Sequence, residues 1–478
     1  MAQGHMDRLS ALDYSFLTNE SDAAHMHVGA ILIFEGPPPK YLDLIAHIES
    51  RLHLVPRFRQ KLAFPPAQTG RAFWIDDNSF NLRYHVRHSA LPSPGSEEQL
   101  RNMAARVFSQ RLDRTKPLWE IWLVEGLTRD RFALVSKTHH ALVDGVSGVD
   151  IATVLLDLDR DPEPVAPAEE WVPAPEPSPA ELATRGADAI AKLPLRLARR
   201  ALRTLEHPRA ALEGAGDAAE AISEVAWTLA NRAPKLPLNV KIGPHRRYEW
   251  VRADLGRFKR IKNVLGGTVN DVVLAVVAGA LRDWLHLRGV DTAGLEVRAQ
   301  VPVSIRSENE HGELGNKIVA VRAPLPVYVD DPAARLDVVR AAMADVKSSK
   351  QALGAEMITR FNDFAPPTLL AQAARINFST RIFNLTVTNV PGPQIPLYML
   401  GRQLEDCFPV GFLPPDQALF VAIMSYNGSI NFGLLADFDA MPDVAEIASG
   451  IERSLAALAD AADAREGRHG ASTTTAAG

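Results

Sequence analysis

The stretch "RFALVSKTHHALVDGVSGVDIATVLLDL", residues 131–158, decides the reading of this chain. Its opening "RFALVSKTHH" has the character of a strand, and "GVDIATVLLDL" from Gly148 returns to helical spacing. Between them lie two adjacent histidines, His139 and His140, followed by Asp144, Gly145 and Gly148. A sharp strand-to-helix junction needs backbone freedom, which glycine supplies. A neutral imidazole, with a pKa of about 6.5, can accept a proton near pH 7 and return it. Adjacent residues on a strand point to opposite faces. Only one of the two histidines can therefore face a given cleft, and the other is expected to be a buried brace. Asp144, four residues after His140, can fix the junction by accepting backbone or arginine hydrogen bonds. A lone histidine in a polar turn would need no chemistry. His-His-x-x-x-Asp-Gly at a strand end is a more demanding pattern and favours proton transfer.

The first third of the chain alternates strands and helices. "MHVGAILIFEG" (26–36) is a strand, and "YLDLIAHIESRLHLVP" (41–56) repeats Leu42, Ile45, Ile48 and Leu52 at helical spacing before Pro56. "FNLRYHVRH" (80–88) alternates as a half-buried strand, and "EEQLRNMAARVFSQRL" (97–112) is an amphipathic helix. "LWEIWLVEGL" (118–127) and the strand at 131 are joined by "TRD", which predicts a hairpin. Prolines throughout 159–181 exclude a helix or central strand there. The second half repeats the alternation: a long helix over 269–288, strands at 295–305 and 318–327, a helix over 331–351, and a strand at 383–393. A hairpin over 419–437 turns at Asn427-Gly428, and a helix covers 443–463. Residues 7–158 are thus expected to form an N-terminal domain and 159–245 a proline-rich linker with a basic helical connector. Residues 246–465 are expected to form a second, similar domain, and 466–478 a disordered tail.

At 478 residues the chain exceeds one comfortable core, which agrees with two domains. A formal net charge of −5 gives no global reason to expect a nucleic-acid partner. The single cysteine, Cys407, cannot build a disulfide framework or a cysteine metal cluster. No apolar run reaches the roughly 18–20 residues that span a bilayer, and the first twenty residues lack the apolar core of a signal peptide. A cytoplasmic setting is therefore expected.

The motif "HHALVDG" resembles the HHxxxDG signature of the CoA-dependent acyltransferase superfamily. The flanking stretches narrow the likeness. "LSALDYSFL", "PLWE" (117–120), "GGTVNDVVLAVVAGALR" (266–282), "VPVSIR" (301–306), "GNKI" (315–318) and "NVPGP" (389–393) occur in order. Together they are similar to the bacterial wax ester synthase/acyl-CoA:diacylglycerol acyltransferase family, from about Leu9 to Asp460. The resemblance implies an α/β fold of two chloramphenicol-acetyltransferase-like domains, each a mixed sheet flanked by helices, with a tunnel between them. It implies O-acyl transfer from acyl-CoA to diacylglycerol or a long-chain alcohol, making triacylglycerol or wax ester. His140 would be the general base, His139, Asp144 and Gly145 would hold the corner, and no cofactor beyond the acyl-CoA substrate is implied. Asn270 and Asp271 match the family's Asn-Asp pair near the site, so Asn270 could supply an oxyanion donor. Its position at a helix start equally suits an N-cap. Arg306 could partner Asp144, on charge and motif order alone.

Other residues have plainer readings. Ser147 in "GVSG" does not sit in G-x-S-x-G and suits a helix start. Adjacent histidines diverge and no second cluster has metal-ligand spacing, so no metal is expected. No P-loop or G-x-G-x-x-G appears. Cys407 is expected to pack, and Asn389 to cap the turn of "NVPGP". In "AKLPLRLARRALRTLEH" (191–207), Leu195, Ala198, Leu202 and Leu205 share one side, and Arg196, Arg199, Arg200 and Arg203 the other. It can pack its leucines on a neighbouring domain, or lie on a membrane or lipid-droplet surface, which would make the protein peripheral. Two rival functions remain: a transferase fed by a carrier protein, and a non-enzymatic lipid-binding protein with a relict site.

Overall fold

The computed structural model describes residues 6–66, 70–142, 155–163, 165, 170–186, 232–304, 318–348, 380 and 382–475. Asp144, Gly145, Ser147, Arg306 and the basic segment 191–207 lie outside the described residues.

The first half supplies β1 (Met6–Arg8), α1 (Ala11–Asn19), β2 (His27–Phe34), α2 (Tyr41–Glu49), β3 (Gln60–Ala63), β4 (Phe73–Asp76), α3 (Leu82–His85), β5 (Val86–Ala90), α4 (Glu97–Phe108), β6 (Trp119–Leu127) and β7 (Arg131–His139). The second supplies β8 (Arg246–Asp254), α5 (Leu255–Leu265), α6 (Val269–Leu287), β9 (Val297–Ser304), β10 (Ile318–Leu325), α7 (Pro332–Ser348) and β11 (Leu385–Pro391). It continues with β12 (Tyr398–Met399), β13 (Arg402–Val410), β14 (Leu419–Tyr426), β15 (Ser429–Asp437) and α8 (Val444–Thr475).

One six-stranded sheet has the order β12-β13-β2-β7-β6-β5, the other β10-β9-β11-β14-β15-β8, and β1-β4-β3 form a small third sheet. Both large sheets are mixed. β5 runs parallel to β6, and β11 runs parallel to β9 and β14, among otherwise antiparallel neighbours. β7 is buried at all nine positions, as the run Phe132-Ala133-Leu134-Val135 requires of a central strand. Its hairpin with β6 turns through Arg129 and Asp130 at φ of 65° and 54°. The β14–β15 hairpin turns at Asn427-Gly428, both at positive φ, the geometry that Asn-Gly favours.

The sheets do not divide at a point in the sequence. β13, from the second half, pairs antiparallel with β2. On its other side it packs on the second sheet: Phe408 stacks on Trp250 with centroids 4.4 Å apart, and Tyr248 donates to the Pro409 carbonyl at 2.8 Å. Arg252 forms a bidentate pair with Asp406 at 2.7 Å to each oxygen. One continuous apolar cluster from Leu9 to Ala462 therefore spans both sheets. α6 lies within it, and its close approach to α8 depends on glycine. A Cβ at Gly279 would meet Ser454 Oγ at 2.2 Å.

Two expectations fail. Residues 80–88 are not one strand: Asn81 Oδ1 accepts from the Arg83 N–H at 3.0 Å and caps the helical turn α3, and only Val86 onward pairs with β6. The local side-chain cap competes with the extended ladder, which alternation alone does not reveal. The tail expected to be disordered from 466 is helical to Thr475. Once α8 is nucleated, each added residue gains a hydrogen bond, which lets a helix run on through a polar stretch.

Candidate active site

β7 carries the two histidines to the end of the first sheet, where the backbone is held from both sides. The His139 N–H donates to the Leu118 carbonyl at 2.9 Å, and the His140 N–H to the Met26 carbonyl at 2.8 Å. The side chains then diverge as strand geometry requires. His139 is buried, and its Nδ1 accepts from the Ala141 N–H at 3.0 Å. His140 is partly exposed and sits in an aromatic bracket. Phe16 of α1 stacks on it with centroids 3.9 Å apart, and Phe412 meets it edge-on at 5.6 Å. Among the described residues no other residue hydrogen-bonds its buried Nδ1. Burial pushes the His140 imidazole down to about 4, with the neighbouring His139 acting in the same direction. A neutral ring at pH 7 is the form that can accept a proton.

Behind His139 lies a buried cluster that sequence reading missed. Glu20, the C-cap of α1, accepts from Arg114 Nε at 2.6 Å. His27 Nε2 lies 3.5 Å and Arg111 Nε 3.7 Å from Glu20 Oε1, and His139 Nε2 lies 3.7 Å from Oε2. The histidine distances are charge–dipole contacts, longer than hydrogen bonds. Burial raises the Glu20 carboxyl, but its contacts with His139 and His27 and the charge of Arg114 outweigh this and hold it well below the usual range. Burial pushes His27 down to about 3 against the pull of Glu20. On the same face Lys137 is sealed in, donating to the Val107 and Gln110 carbonyls at 2.9 and 3.0 Å and pairing with Glu120.

Asn270 and Asp271 open α6 in unequal ways. Thr268 is the N-cap: its hydroxyl accepts from the Asp271 N–H, and the Asp271 carboxylate accepts from the Thr268 N–H at 2.8 Å. This capping box corrects the N-cap reading of Asn270 and engages Asp271 structurally. Asn270 instead accepts at Oδ1 from Asn389 Nδ2 at 3.2 Å, and Asn389 lies in β11 rather than capping a turn. The described contacts do not join this amide pair to His140. Cys407 is buried against Met424.

Phe16 lies within the quoted "LSALDYSFL", whereas Glu20 stands three residues beyond it and carried no signal of its own. Phe412 had none, being distant in sequence. Among the described residues no group of three His, Cys, Asp or Glu side chains could hold a metal ion. No single described helix is long and apolar enough to cross a membrane.

Comparison with known proteins bears on this geometry. A model of the wax ester synthase/diacylglycerol acyltransferase catalytic domain matches residues 9–273, and one of that family's C-terminal domain matches residues 314–459. A putative diacylglycerol O-acyltransferase of Mycobacterium bovis is 34% identical over 462 residues, covering 95% of this chain and 99% of its own. The structure of a wax ester synthase/diacylglycerol acyltransferase from Marinobacter aquaeolei aligns with a TM-score of 0.69 at 27% identity, covering 96% and 100% of the two chains. The trichothecene 15-O-acetyltransferase of Fusarium sporotrichioides, 13% identical, shares the fold with a TM-score of 0.59 over 95% of each chain.

Proposed function

Because the chain belongs to the wax ester synthase/diacylglycerol acyltransferase family, we propose that it moves a fatty acyl group from acyl-CoA to the hydroxyl of diacylglycerol or a long-chain alcohol, with His140 as general base. The observation that carries this reading is the contrast at the corner. His139 is buried with its Nδ1 bonded to the Ala141 N–H, whereas His140 is partly open and stands between the rings of Phe16 and Phe412.

In the proposed reaction His140 takes the acceptor hydroxyl proton as that oxygen attacks the thioester carbonyl. The tetrahedral intermediate collapses with loss of the CoA thiolate, which recovers the proton from the imidazolium. The products are the ester and free CoA, with no covalent enzyme intermediate. General-base catalysis of this kind contributes about 10²–10⁴-fold. The tetrahedral oxyanion needs a donor. Asn270 is the candidate by its match to the family's Asn-Asp pair, and its Oδ1, not its amide nitrogen, is used in the bond with Asn389. Asp144 and Gly145 belong to the same proposal as residues that shape the corner.

Purified protein given radiolabelled palmitoyl-CoA with a panel of diacylglycerol and long-chain alcohols, and no carrier protein, should yield triacylglycerol or wax ester. Absence of product from free acyl-CoA would contradict the donor and favour a carrier-fed transferase. Peripheral attachment to a lipid surface through 191–207 is part of the proposal, because its leucines and arginines segregate. The chain should float with acidic-phospholipid vesicles, and a variant with Arg196, Arg199, Arg200 and Arg203 changed to Ser should not. Equal flotation of the two would refute that role.

A further inference from the structure

We infer that Glu20 is a positioning residue for His140, acting through His139 and through α1. The inference rests on the reading of His140 as the base.

Nδ1 of His139 faces a backbone N–H, that of Ala141, at 3.0 Å, and a backbone N–H can only donate. Nδ1 is therefore the acceptor, and in the neutral ring the proton sits on Nε2. Among the described residues that N–H has no hydrogen-bond partner within normal distance, and the Glu20 carboxylate faces it at 3.7 Å. An anion there favours the Nε2–H tautomer, because the opposite one would turn a lone pair toward a negative charge and set two donors against each other at Ala141. The Nδ1 bond to Ala141 in turn fixes the chain as it leaves His140.

The second arm is shorter. The Glu20 N–H donates to the Phe16 carbonyl at 3.1 Å, closing α1, and the Phe16 ring stacks on His140. Arg114 holds both parts of this helix end, donating to the Glu20 carboxylate and to the Leu17 carbonyl at 2.8 Å. One helix end thus braces His139 with a charge and His140 with a ring. A general base misplaced by about 1 Å can lose on the order of 10²-fold in rate. The Glu20 and His139 side chains are buried behind His140, so binding of the acyl donor should be spared.

The test compares E20Q, E20D, H139N and the double variant E20Q/H139N with wild type in the palmitoyl-CoA assay, with thermal unfolding measured alongside. The inference predicts that E20Q loses 10- to 100-fold in kcat while KM for palmitoyl-CoA stays within twofold. E20D, which keeps the charge, recovers part of the loss, and E20Q costs less in the H139N background than in wild type, because only the α1 arm is left. Wild-type kcat in E20Q, or losses that multiply in the double variant, would overturn it. Should E20Q fail to fold, E20D alone decides, by lowered kcat at unchanged KM or by wild-type kcat. H140A in the same assay separates the two claims. An active H140A removes the base reading, whereas an inactive H140A beside a fully active E20Q removes only the role of Glu20.

Discussion

An imidazole between Phe16 and Phe412 has little water to stabilise its cation, which is why His140 is pushed down to about 4. The base must be neutral to accept a proton, so activity is present above its pKa and lost as pH falls through it. The account predicts an acid limb of kcat/KM well below the ordinary histidine value of about 6.5. F16S, which admits water to the ring, should move that limb upward. A wild-type limb at 6.5 would contradict the aromatic bracket. The profile has to be read beside stability, because His27 and His85 are also pushed down by burial, to about 3 and about 4. Their folded values lie below the unfolded one. Their contribution to stability is therefore full above about pH 6.5 and falls away as pH drops toward the folded values.

Among the elements, β13 sets the architecture. It supplies the neighbour of β2 in the first sheet and the apolar and ionic contacts that seat the second. Residues 6–165 produced alone would expose the β2 edge, a template for unwanted pairing. That fragment should aggregate by size-exclusion chromatography and become soluble when co-produced with residues 232–475. A monodisperse, folded fragment on its own would contradict this account of β13. The strands and helices themselves were largely legible. The Asn427-Gly428 turn, the buried α6 and the β6–β7 hairpin all carry strong local chemistry in the sequence. What escaped was decided by competition or by distance. The Asn81 cap overrode the alternation at 80–88, Thr268 took the cap position that Asn270 also suited, and the pairing of β13 with β2 joins residues with no local signal.

At the scale of the whole molecule, the mixed sheets flanked by helices match the fold that the motif order implied. The candidate site stands at a junction of both halves: β7 supplies the histidines, α1 supplies Phe16 and Glu20, and Phe412 follows β13 from the second half. The two histidines were legible as unequal because strand alternation alone separates them. Glu20 and Phe412 were not assigned, because only folding brings them to that corner. The claim that most depends on this assembly is that His140 carries the proton. The direct measurement is the rate of ester formation from radiolabelled palmitoyl-CoA by H140A, with unfolding temperature recorded to show the fold intact. The account predicts a loss of about 10²–10⁴-fold or more in kcat at an unchanged unfolding temperature. A folded H140A that forms ester at the wild-type rate would contradict it.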